Sequence, residues 1–113
     1  MSEVPTDRRK VPRFRVQFRS SFATEHAVEG EGTVTDLSIG GCKVESDTTV
    51  LAGSYLELRI YAPGLDEPMR IEEALVIWLR EREFGVKFVR IPPEEQKRLS
   101  QVVQELESDA PEE

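Results

Sequence analysis

Cysteine and histidine are nearly absent from this 113-residue chain, which holds one of each, Cys42 and His26. A lone cysteine excludes an internal disulfide and fits a reducing compartment. Two such ligands are too few for a structural zinc site. Long apolar runs are missing too. The longest nearly unbroken one, Ala74 to Leu79, falls far short of the roughly 20 residues that span a bilayer, so no membrane insertion is expected. The opening residues Met1-Ser2-Glu3-Val4-Pro5 lack the apolar stretch of a signal peptide. A cytoplasmic location is therefore expected.

Positive charge is scarce outside one segment. Residues 1–19 hold six basic and two acidic residues, a local charge of +4, and since the whole chain carries −7 the remainder carries −11. An acidic body repels extended polyanions, so DNA or RNA binding is disfavoured. A small anion could still be captured by the basic arm. Taken alone, the arm also fits a solvated tail.

Enzymatic chemistry finds little support. His26 sits in a polar stretch with no obvious nucleophile near it. Cys42 alternates with Val44 and reads as a buried, small apolar residue. The pairs Glu72-Glu73 and Glu94-Glu95 point in different directions or start a helix, so a paired-carboxylate site is not expected. No catalytic residue, metal or cofactor is assigned.

What is present is a regular alternation. Length fits about one domain, and 38% apolar with 33% charged residues suits a small core under a well-solvated surface. Residues 1–12, with Pro5 and Pro12, read as a flexible basic arm. Phe14 to Phe18 alternates apolar and polar at the strand period, and Ser20 to Phe22 extends it. Glu25 to Gly32 reads as a loop. Thr33 starts a second strand, Gly40-Gly41 reverses the chain, and Cys42 to Glu45 makes a third strand. Tyr55–Tyr61, Met69–Leu79 and Glu83–Val89 complete six, with Arg80-Glu81-Arg82 as a hairpin link. Pro92-Pro93 ends the last strand. Leu99, Val102, Val103 and Leu106 then fall at i, i+3, i+4 and i+7, the stripe of an amphipathic helix. These elements predict an all-β fold with one helix: a six-stranded antiparallel β-barrel with a C-terminal helix, spanning 13–107. Residues 108–113 read as a disordered acidic tail.

Two short stretches carry candidate chemistry. Arg8-Arg9-Lys10-Val11-Pro12-Arg13 contains R-x-x-x-R, from Arg9 to Arg13. Asp36-Leu37-Ser38-Ile39-Gly40-Gly41 contains D-x-S-x-x-G, from Asp36 through Ser38 to Gly41. Arginine's planar fork bonds phosphate bidentately and matches the O6/N7 edge of guanine. Asp36 is an acceptor that can take guanine N–H donors or orient an arginine. Ser38 can bond a phosphate oxygen or cap the turn. Gly40 and Gly41 permit positive φ and close approach of a ligand. Without the arm, the second stretch reads equally as a strand–turn–strand held by local hydrogen bonds.

In this order and spacing the two stretches resemble the signature of the PilZ domain family, which binds the bacterial second messenger cyclic di-GMP. The resemblance covers roughly Arg8 to Leu106. It implies the barrel-plus-helix fold already read from the alternation. It also implies that Arg9 and Arg13 contact ligand phosphate and guanine, with Asp36, Ser38 and Gly41 as the second half of the site. Arg8, just before the motif, favours a stacked pair of ligand molecules, whose four phosphate charges call for an extra cation. Trp78 and Gly85-Val86-Lys87-Phe88 look like the family's second half. Trp78 is a candidate to stack on guanine at the barrel rim, or else a core or rim aromatic. The function so implied is a cyclic di-GMP receptor and adaptor for an unknown downstream protein, signalling by ordering the arm. The alternative is a PilZ-like protein–protein interaction module that needs no ligand. A single-strand nucleic-acid binder of OB type would need a basic groove, which the acidic body argues against.

Overall fold

Alternating side chains bury one face of each strand, and here the buried faces close on one another. The computed structural model describes residues 11–109. Strand β1 (Phe14–Thr24) is followed by β2 (Glu29–Ser38), β3 (Gly41–Glu45), β4 (Tyr55–Tyr61), β5 (Met69–Arg80), β6 (Glu83–Arg90) and helix α1 (Pro93–Asp109). The strands form a closed barrel in the order β1-β2-β3-β6-β5-β4, with antiparallel pairing throughout. Closure leaves no open sheet edge.

The interior follows the period-2 pattern. On β4, Leu56, Leu58 and Ile60 point in while Glu57 and Arg59 point out. Phe84, Val86 and Phe88 do the same on β6. Phe22 and Phe84 meet edge to face, with ring centroids 5.5 Å apart. Helix α1 adds Leu99, Val102 and Val103 to the same core, so its apolar stripe lies against the barrel. The helix is also latched by polar contacts. Glu95 Oε1 accepts from the Arg70 backbone N–H at 3.1 Å and from the Arg98 guanidinium at 3.1 Å. Arg98 also donates to the carbonyls of Pro68 and Glu67. Among the described residues no helix is long and apolar enough to cross a membrane.

Two boundaries differ from the sequence reading. The expected loop over Glu25–Gly32 shrinks to a turn, because β2 begins at Glu29. Gly30 and Gly32 are strand residues there, paired with Phe22 and Ser20. A Cβ on Gly30 would lie 2.7 Å from the Phe22 ring, and one on Gly32 would lie 2.5 Å from the Glu45 carbonyl. These glycines serve close strand packing rather than reversal. The reversal falls to Ala27, at φ 66°, with Thr24 Oγ1 accepting from the backbone of His26 and Val28. At the other end α1 runs to Asp109, so residues 108–109, assigned to a disordered tail, are helical. Residues 110–113 and most of the expected arm, 1–10, lie outside the described residues.

Candidate functional site

The β2–β3 reversal sets the site. Phe88 N–H donates to Gly40 O at 2.9 Å, tying the turn to β6. Gly40 N–H donates to Ser38 Oγ at 3.2 Å, and Ser38 Oγ donates to Gly41 O at 3.3 Å. Ser38 is buried and its hydroxyl is engaged in the turn. The expectation that Gly40-Gly41 turns the chain through positive φ needs correction, since only Gly53 and Gly64 among the described glycines have positive φ. Gly41 answers a steric demand instead: its missing Cβ would sit 2.3 Å from Val86 O on β6. Gly40 faces open space, with nothing within 4 Å of an added Cβ.

Strand register then assembles a row on the outer face. Arg15 on β1 lies opposite Asp36 on β2, Asp36 opposite Lys43 on β3, Lys43 opposite Gly85 on β6, and Gly85 opposite Trp78 on β5. One step along, Ser38 pairs with Gly41 and Gly41 with Lys87. A cleft of about 370 Å³ lies over this row. Arg13, Asp36, Lys43, Trp78, Arg80 and Lys87 are among its lining residues, as are Ser38, Gly40 and Gly41. The structure thus brings together six residues singled out from sequence: Arg13, Asp36, Ser38, Gly40, Gly41 and Trp78. Arg8 and Arg9 lie outside the described residues.

Each wall has a local cause. Arg13 precedes β1 and reaches back over β2, its guanidinium 4.0 Å from Asp36 Oδ2. That distance is an ion pair without a hydrogen bond, and the arginine side chain is 74% exposed, so it is free to turn to a ligand. Trp78 lies over Gly85, where a Cβ would meet its Nε1 at 2.2 Å. The absent side chain gives the indole its seat. A register shift between Val76 and Trp78 rotates the end of β5 outward and leaves Ile77, Trp78 and Leu79 exposed together. Behind the cleft Cys42 is buried. Burial, with a smaller contribution from the Asp36 carboxylate, pushes its thiol well above its ordinary value.

The cleft's charge reverses that of the body. Four lining cations, Arg13, Lys43, Arg80 and Lys87, face two carboxylates, Asp36 and Glu83. A neighbouring depression of about 640 Å³ is larger but carries Glu31, Glu45, Asp47, Glu81 and Glu83 against two arginines, and so disfavours an anion. Lys43, Arg80 and Lys87 escaped the sequence reading as site residues. The alternation of β3 and β6 places Lys43 and Lys87 on the outer face, but only the β3–β6–β5 register puts them beside Asp36 and Trp78.

The family model for the PilZ domain matches residues 7–105. Among solved structures, the chain is similar to the inhibitor of motility MotI/DgrA of Bacillus subtilis, with TM-score 0.73 and 20% identity, covering 91% of this chain and 53% of that one. It thus spans about half the length of that relative. The PilZ domain of YcgR from Escherichia coli, solved with c-di-GMP, gives TM-score 0.72 at 16% identity, covering 90% of this chain and 93% of that one. The PilZ domain of CeSA from a cellulose-synthesizing bacterium gives 0.67 at 17%, covering 85% and 98%. At these identities the likeness is one of fold. No curated protein sequence matches the chain.

Proposed function

The chain belongs to the PilZ domain family, and from that premise we propose that it is a receptor for cyclic di-GMP that acts as an adaptor rather than a catalyst. One observation carries the reading: Arg13 of the first motif half and Asp36 of the second line one cleft, 4.0 Å apart, in a cation-rich setting. The ligand brings two phosphate charges and two guanines. Arg13 is placed to bond phosphate or a guanine edge bidentately. Asp36 is placed to accept guanine N–H donors once the arginine turns away. Trp78 offers an aromatic face for stacking. Ser38 and Gly41 act through the turn, shaping the floor. Arg8 and Arg9 supply further cations from outside the described residues.

A volume of about 370 Å³ is near the low end for ligand sites, which run about 300–1,000 Å³. The cleft alone therefore covers only part of so large a ligand, and the basic arm closes over the rest. Ligand binding orders residues 5–13 onto the rim and so presents a new surface to a partner, an order–disorder switch. Amide exchange in that segment left unchanged by saturating ligand would refute the switch. Two stacked ligand molecules per chain match the cation supply of arm and cleft, and a titration saturating at one ligand would remove that stoichiometry. A bacterial cytosolic setting suits both the ligand and the single thiol.

Isothermal titration with cyclic di-GMP tests the reading, with Arg13→Ala alongside. Micromolar or tighter binding is expected. Loss of one charge-assisted contact, about 1.5–3 kcal/mol, weakens the variant about tenfold to a hundredfold. Absence of heat at millimolar ligand would shift the assignment to a ligand-independent interaction module. The exposed Ile77 and Leu79 beside the cleft would then be the first surface to mutate.

A further inference from the structure

We propose that Glu83 is an affinity-setting residue of the cleft, a built-in competitor that holds Lys43 until a ligand phosphate replaces it; this rests on the anion-receptor reading above. Glu83 opens β6 and lies in register between Arg80 on β5 and Glu45 on β3. Its Oε2 stands 4.0 Å from Lys43 Nζ, and both side chains are about one-third exposed, at 31% and 34%. The pair lies inside the cleft lining, so the lysine is drawn to an anion where a phosphate would compete for it.

Three features mark the Glu83–Lys43 pair as one that a ligand can displace. Asp36 belongs to the motif and has its own use as an acceptor of guanine N–H donors, whereas Glu83 has no assigned role toward the ligand. Lys43 sits between Asp36 and Gly85 in the row, within the cleft lining and next to the glycine that seats the Trp78 indole. And at 4.0 Å the ion pair lacks a hydrogen bond, so a phosphate oxygen offering a direct one displaces it. A lysine is a compact point charge on a flexible stem and can swing between the two anions. Glu83 also lines the adjacent acidic depression, so its charge adds to a field that resists anions at that edge.

The experiment is isothermal titration of wild-type protein, Glu83→Gln, Lys43→Met and the double variant with cyclic di-GMP, each checked for unchanged melting without ligand. The expected result is that Glu83→Gln binds about threefold to tenfold tighter, the effect of removing one partly solvated like charge near the phosphate. Lys43→Met weakens binding, and in its background Glu83→Gln gains little, because the competition passes through the lysine. A variant that has merely lost structure cannot gain affinity, so the sign separates competition from scaffolding. Glu83→Ala serves as the second removal if the glutamine variant folds poorly. Wild-type binding with no gain in Glu83→Gln overturns this proposal alone. An equal gain with and without Lys43 overturns the competition. No wild-type binding overturns the receptor reading and this proposal with it.

Discussion

Adding one methyl group at either of two adjacent glycines should give opposite results. Gly40 and Gly41 both lie in the D-x-S-x-x-G turn, and only Gly41 is a motif position. In the barrel an alanine Cβ at position 41 would stand 2.3 Å from the Val86 carbonyl oxygen, where contacts under 3.0 Å are essentially never seen. The offending atom is backbone, so it cannot rotate away. The β3–β6 ladder must open by at least about 0.7 Å, and that ladder carries the Phe88 N–H to Gly40 O bond. Overpacking of this kind costs about 1–3 kcal/mol, and loss of a ladder bond adds about 1 kcal/mol. Gly41→Ala should therefore destabilise by about 2–4 kcal/mol. At position 40 nothing lies within 4 Å and φ is not positive. Gly40→Ala should be neutral or stabilise by about 0.4–1 kcal/mol, through a less flexible unfolded chain.

Urea unfolding separates the two. With a slope of about 1–3 kcal/mol/M, Gly41→Ala should lower the midpoint by about 0.7–4 M with the slope unchanged, while Gly40→Ala stays at or above wild type. Equal stability of Gly41→Ala and wild type would refute the steric account of the motif's last glycine. So would a Gly40→Ala variant as damaged as its neighbour. Lys87 is the register partner of Gly41 and lines the cleft, so Gly41→Ala should also weaken anion binding.

Further outcomes follow from the core and from the contacts that fasten α1 to the barrel. Burial raises the Cys42 thiol above its ordinary value of 9.0, so it stays protonated in the folded state after the unfolded state has begun to lose its proton. Its contribution to stability is complete below pH about 9 and declines above that, by up to about 1.4 kcal/mol per pH unit; Cys42→Ala should flatten that alkaline decline in urea titrations. A thiol reagent at pH 8 should react at the unfolding rate rather than at the rate of a free cysteine. Leu99 on α1 is fully buried, and Leu99→Ala should cost about 2–5 kcal/mol. Glu95→Ala strips acceptors from the Arg70 amide and Arg98 and should cost about 1–3 kcal/mol. Thermal melts that leave both variants at wild-type stability would show that the helix is not fastened to the barrel.

How far the sequence reaches is clearest on β5. Alternation places Ala74, Val76 and Trp78 on one face, and the first two are buried. A strict period would have sent Trp78 inward with them. The register shift between Val76 and Trp78 changes the parity and turns the indole onto Gly85 and the cleft. Nothing in the composition of Val76-Ile77-Trp78-Leu79 marks that shift, because a bulge is decided by the fit of two strands rather than by one. The same holds for the cations. Arg13, Asp36 and Ser38 were legible because one local spacing carries each motif half. Lys43, Arg80 and Lys87 come from three different strands and meet only through the β3–β6–β5 register. On β4 period and burial agree over the whole of Tyr55–Tyr61, because the pairing shift beside Leu56 and Leu58 puts its extra residue on β5. The β3–β6 ladder under the cleft is regular, and it is the shift at the end of β5 that turns Trp78 out of the core and toward a ligand.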